Sequence, residues 1–124
     1  MKSVVIIPTY NEIENIKNII IAVLSKKDNF DVLIVDDQSP DGTAQVVKEL
    51  MNGYENRLHI MERKGKNGLG TAYLDGFKWA IKNKYDFIFE MDADFSHDPD
   101  DLPRLLYSCA KHNADVCVGS RYVP

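Results

Sequence analysis

Two carboxylates two residues apart, Asp92 and Asp94, end a stretch that begins as the apolar run Phe87-Ile88-Phe89. A strand that delivers two acids to its carboxyl end brings like charges together. Such a pair calls for a proton, an arginine or a divalent cation between them. A metal holding a phosphorylated ligand is the chemistry that fits. Polar residues also follow the other apolar runs. Tyr10 is an aromatic in a tight strand-to-helix turn, where a planar ligand stacks. Asn11 reads as a helix cap, with Glu12 in the first turn, where the helix dipole favours an acid. Asp36 and Asp37 are adjacent and project differently, so that one hydrogen-bonds backbone and the other faces the crevice. An acid there stands where dinucleotide-binding folds hold a ribose. Arg121 follows the last apolar run, within reach of either Asp94 or a phosphate.

Several familiar sites are refused by spacing. The glycines Gly65, Gly68 and Gly70 do not form GxGxxG, and Thr71 stands where a P-loop requires its lysine. What remains is a basic, glycine-rich loop that suits phosphates or a plain turn equally. The series Asp92, Asp94, Ser96, Asp98, Asp100 imitates a calcium loop. However, His97 replaces its glycine and Pro103 its final glutamate. Asp98 reads as a helix cap, Pro99 as the first helical residue, and Asp100 and Asp101 as acids suited to the dipole. Ser39, Asp41 and Thr43 read as turn and cap residues.

The elements that must position these residues are five strand-like runs, at 2–7, 30–35, 58–63, 85–91 and 115–119. Pro8 is expected to stop the first. The runs lack period-2 alternation, so both faces of each strand are covered. Between them, Ile13, Ile16, Ile19, Ile20, Val23 and Leu24 recur at helical spacing. So do Val46, Val47, Leu50 and Met51, and again Leu102, Leu105, Leu106 and Cys109. A further helix over 71–82 is interrupted by Gly76. This alternation predicts an α/β fold with a parallel sheet between helices, and a ligand site at the carboxyl ends of the strands.

With 124 residues the chain is long enough for one domain with a real core. A net charge of −4 argues against a generic nucleic-acid binder. Cys109 and Cys117 form no CxxC and read as reduced core thiols in a cytoplasmic protein. The longest apolar runs fall far short of the roughly 20 residues that span a bilayer.

Five motifs occur in one order: Pro8-Thr9-Tyr10-Asn11-Glu12; Val35-Asp36-Asp37 with Ser39-Pro40-Asp41-Gly42-Thr43; Gly68-Leu69-Gly70-Thr71-Ala72-Tyr73; Met91-Asp92-Ala93-Asp94; and Gly119-Ser120-Arg121-Tyr122. Together they resemble the dolichyl-phosphate (polyprenyl-phosphate) mannosyltransferases of the family 2 glycosyltransferases. The resemblance implies a three-layer αβα, Rossmann-like GT-A fold. It also implies a hexosyltransferase that moves mannose from GDP-mannose to a polyprenyl phosphate with inversion, using Mg2+ or Mn2+. By position, Pro8, Tyr10, Glu12, Val35 and Asp37 would form the guanosine pocket. Asp92, Ala93 and Asp94 would meet the metal and the diphosphate sugar, and Arg121 the donor phosphates. Asp92, Asp94 and Arg121 would then carry the catalysis. Ser96 stands where some members place a Gln, which leaves water to fill that metal position. Members are generally longer, so residues 1–124 are expected to be the nucleotide-sugar-binding portion of an incomplete glycosyltransferase domain, peripheral on the cytoplasmic face of a membrane. A UDP-sugar transferase of the same family and a non-catalytic nucleotide-sugar binding module are the alternatives. A response-regulator receiver is disfavoured, because its paired acids should end the first strand and not the second.

Overall fold

The computed structural model describes residues 2–64, 69–94 and 99–111. Four strands, β1 (Ser3–Thr9), β2 (Phe30–Asp36), β3 (Leu58–Glu62) and β4 (Phe87–Glu90), form one parallel sheet in the order β3-β2-β1-β4. They alternate with α1 (Ile16–Leu24), α2 (Thr43–Met51) and α3 (Leu69–Lys82), and a 3-10 turn (Pro99–Asp101) leads into α4 (Leu102–Lys111). The expected fifth strand at 115–119 lies outside the described residues, as do Gly65, Gly68, Ser96, His97, Asp98, Cys117 and Arg121, and the side chains of Leu105 and Cys109.

The uninterrupted apolar runs mean what their pattern predicts in β1, β2 and β4, which bury both faces, whereas β3, at the edge of the sheet, buries only Leu58 fully. On one side Val5, Ile7, Val32, Ile34, Phe87 and Phe89 pack with Ile16, Ile19, Ile20 and Val23 of α1, Val47 of α2 and Leu102 of α4. On the other, Val4, Ile6, Leu33, Val35 and Ile88 pack with Ala72 and Ala80 of α3, while Tyr73, Phe77 and Trp79 complete that layer. Helices therefore cover both faces of the sheet, as the α/β reading requires. Among the described residues no helix is long and apolar enough to cross a membrane.

Gly76 does not interrupt α3; it seats it. A Cβ there would come within 2.6 Å of Ile6 Cγ2, so the missing side chain is what lets the helix lie close over β1.

Two boundary expectations are corrected. Pro8 does not stop β1, which runs on to Thr9 with Pro8 opposite Val35. Ile6 O accepts from Met91 N, and Thr9 O accepts from Asp37 N. By the two-residue period Pro8 therefore turns its edge towards β4, whose pairing has already ended at Glu90. The proline's missing N–H costs no ladder bond there. Asn11 likewise does not cap α1. It takes a left-handed φ of 56°, and the helix starts at Ile16 with Asn15 before it, so Glu12 lies ahead of the first turn.

Candidate active site

The sheet order puts the reversal between β1 and β4, since β2 and β3 continue to one side of β1 while β4 lies on the other. In such sheets the crevice opens beyond the carboxyl ends at that point. The segments bounding it here are 10–15 after β1 and 91–94 after β4.

The first of these segments is held by the loop after β2. Three successive backbone N–H groups donate to side chains across the gap: Asn11 to Ser39 Oγ (2.9 Å), Glu12 to Thr43 Oγ1 (3.1 Å) and Ile13 to Asp41 Oδ2 (3.1 Å). Asp41 Oδ1 also accepts from the backbone of Thr43 at 3.0 Å. Burial opposes ionisation of Asp41, but these bonds from Thr43 and Ile13 outweigh it and hold the carboxyl below its ordinary range. Ser39 and Asp41 lie in the connection before α2 and Thr43 is its first residue, with Gly42 at the cap position, and all three side chains pin the neighbouring loop that carries Tyr10 and Glu12.

The two adjacent acids divide as their geometry requires. Asp36 turns inward, accepting from Thr9 Oγ1 (2.7 Å), Ser39 Oγ (2.6 Å) and Ser39 N (3.0 Å). Asp37 is met by both arms of Arg63, Nε to Oδ1 at 2.6 Å and Nη2 to Oδ2 at 2.7 Å, with both residues buried. Such a fork is the strongest carboxylate geometry, and it leaves the outer lone pairs of Asp37 for other donors. Arg63 Nη1 also donates to Thr71 Oγ1 (3.1 Å) and Asp75 Oδ2 (3.0 Å) of α3.

On the β4 side, Asp92 is half-buried and accepts from Tyr73 Oη at 2.9 Å, while Asp94 is exposed and Ala93 between them is buried. Burial pushes the Glu12 carboxyl above its ordinary range. A hydrogen bond from Asn15 opposes that, and the charges of Asp94, Asp41 and Asp92 add to it. Burial and then the Asp92 charge push Glu90 the same way. An acid from the β1 loop therefore lies in the field of both acids from the β4 loop, and the crevice is electronegative.

Of the residues expected to line a nucleotide pocket, Tyr10 is exposed and Pro8 and Glu12 are half-buried at the crevice. Val35 is wholly buried under α3, beneath the surface instead of on it. The sheet order thus puts the loops carrying Glu12 and the pair Asp92 and Asp94 on neighbouring strand ends, while Asp37 is engaged by Arg63. Arg63, Asp75 and Tyr73 escaped the sequence reading as site residues. The available clue was that Arg63 directly follows β3 as Asp37 directly follows β2, and that Asp36 pairs with Glu62 in the register.

Among the described residues, no group of three or more His, Cys, Asp or Glu side chains is placed to hold a metal ion on its own. Asp92 and Asp94 supply hard oxygen donors at the crevice. That set suits an ion which takes one or two carboxylates and completes its shell with substrate phosphates and water.

The sequence pattern described as Glycosyl transferase family 2 matches residues 4–124. The chain belongs to this family. A polyprenol monophosphomannose synthase of Mycolicibacterium smegmatis is 47% identical over 99% of this family 2 chain and 46% of its own length. An undecaprenyl-phosphate mannosyltransferase of Micrococcus luteus is 44% identical over 100% of the chain and 50% of its own length. The chain thus spans about half the length of the curated relatives it matches. Among solved structures, a mannosyltransferase from Pyrobaculum calidifontis in complex with GDP-Man and Mn2+ superposes with a TM-score of 0.72 at 25% identity, covering 88% of this chain and 32% of that one. S. aureus TarS 1–349 in complex with UDP-GlcNAc gives 0.70 at 27%, covering 91% and 32%. These neighbours are GT-A glycosyltransferases, and the αβα expectation holds.

Proposed function

We propose that residues 1–124 form a nucleotide-sugar-binding domain, the donor-binding portion of an inverting, metal-dependent transferase that moves mannose from GDP-mannose to a polyprenyl phosphate at a membrane surface. The observation that carries this reading is the placement of Asp92 and Asp94 directly after β4, at the β1/β4 reversal, next to the loop that follows β1. Paired carboxylates there suit a divalent cation, and a diphosphate sugar brings one. Asp92 and Asp94 would hold Mg2+ or Mn2+ together with the donor diphosphate, and the ion would offset the negative charge that develops on the departing phosphate. Tyr10 offers a face for the base, and Pro8 and Glu12 flank it. Asp37, fixed by Arg63, offers its outer lone pairs to the nucleoside, with Val35 supporting from below. Arg121 is assigned to the donor phosphates. The acceptor is itself a phosphate whose second pKa is about 6, so it is largely dianionic near pH 7 and needs little help from a general base.

Mannose is favoured over other sugars by two relatives above 40% identity that are named for mannose transfer. The similar superposition on a UDP-GlcNAc complex keeps a UDP-sugar donor as the second reading. Incubating the protein with radiolabelled GDP-mannose, Mn2+ and a panel of polyprenyl phosphates tests the proposal, with label expected in the organic phase. Label recovered there only from UDP-sugars would replace it with the second reading.

A further inference from the structure

α3 carries polar contacts on both of its flanks. Successive helix residues are about 100° apart. Thr71 and Asp75 therefore share one flank, Ala72, Gly76 and Ala80 turn downwards onto the sheet, and Tyr73 falls on the other flank. The contacts follow this division. Thr71 Oγ1 and Asp75 Oδ2 accept from the guanidinium of Arg63, which grips Asp37 with its other arms. Tyr73 Oη donates to Asp92. Beneath them, Ala72 and Ala80 are buried and Gly76 permits close approach to Ile6, so the height of the helix above β1 is fixed. One helix thus touches, directly or through Arg63, a carboxylate on each side of the central strand.

We propose that α3 is the positioning element of the site, with Tyr73 setting the carboxylate of Asp92 while Thr71 and Asp75, through Arg63, set that of Asp37. This rests on the reading that Asp92 serves the metal and diphosphate and Asp37 the nucleoside. Tyr73 is a positioning residue: its hydroxyl occupies one lone pair of Asp92 and restricts the carboxylate's rotation. Removing it loosens that side chain, and ligand binding then bears more of the cost of ordering it. Asp75 does the same for the guanidinium plane, which in turn fixes both oxygens of Asp37.

The test is calorimetry on the purified chain in two titrations, Mn2+ into protein saturated with GDP and GDP into protein saturated with Mn2+. Tyr73→Phe is expected to weaken the apparent Mn2+ affinity about tenfold, the scale of one hydrogen bond to a charged group, and to leave the GDP titration nearly unchanged. Asp75→Ala is expected to weaken GDP in the second titration and spare the first. Both variants should keep the wild-type Tm. Wild-type behaviour of Tyr73→Phe in the Mn2+ titration overturns the positioning role, as does a loss in both titrations that tracks a fall in Tm. A wild-type chain that binds no GDP with Mn2+ overturns the site reading itself, and the positioning proposal with it.

Discussion

Asp36 and Asp37 show how two identical side chains acquire different tasks from one peptide unit of separation. Asp36 closes hydrogen bonds within the sheet edge and the following turn, whereas Asp37 is presented beside a buried arginine. That one of the pair bonds backbone was legible from adjacency alone. The arginine was not, because the contact spans 26 residues and exists only once β2 and β3 have settled their register. Glu12 was legible as an acid near a strand end, but its role was misplaced. It belongs to the crevice and not to a helix turn, since a left-handed residue at Asn11 delays α1. Its raised pKa has a testable consequence. An acid whose folded-state pKa lies above its unfolded value favours folding while protonated and loses that contribution as pH rises past the ordinary value of 4.5. Glu12→Gln should therefore be more stable than wild type at pH 7, with the advantage vanishing below pH 4. Urea denaturation of both forms at the two pH values measures it. A constant difference would show that ionisation of Glu12 costs the fold nothing.

At the scale of elements, apolar continuity was the dependable guide. Val4 to Ile7 and Val32 to Val35 bury every side chain, and no polar residue in either run competes for another arrangement. Breakers misled because their effect depends on what lies alongside. Pro8 is tolerated because β4 has ended beside it, and Gly76 is needed because Ile6 lies beneath it. Neither neighbour is visible along the chain. For Gly76→Ala, helix propensity would add up to about 1 kcal/mol of stability. The new methyl, however, would press on a side chain with no exposure, and overpacking of this kind costs about 1–3 kcal/mol. A net loss is expected in chemical denaturation, accompanied by weaker GDP binding as α3 lifts. Stabilisation by this substitution would mean that α3 is not seated on β1 as described.

For the molecule as a whole, the proposed donor is anionic whereas the chain has a net charge of −4. The order β3-β2-β1-β4 brings the β1 and β4 loops to one crevice, and in the proposed function Asp92 and Asp94 there would share a cation with a diphosphate. The family 2 match over residues 4–124 agrees with that arrangement. The central claim is that nucleotide binding depends on a metal held at Asp94. It is tested most directly by calorimetric titration of GDP, with and without Mn2+, into wild type and Asp94→Ala. GDP binding that requires Mn2+ and falls at least tenfold in Asp94→Ala is the predicted result. Equal binding by the two proteins, or no GDP binding by wild type with Mn2+ present, would contradict it.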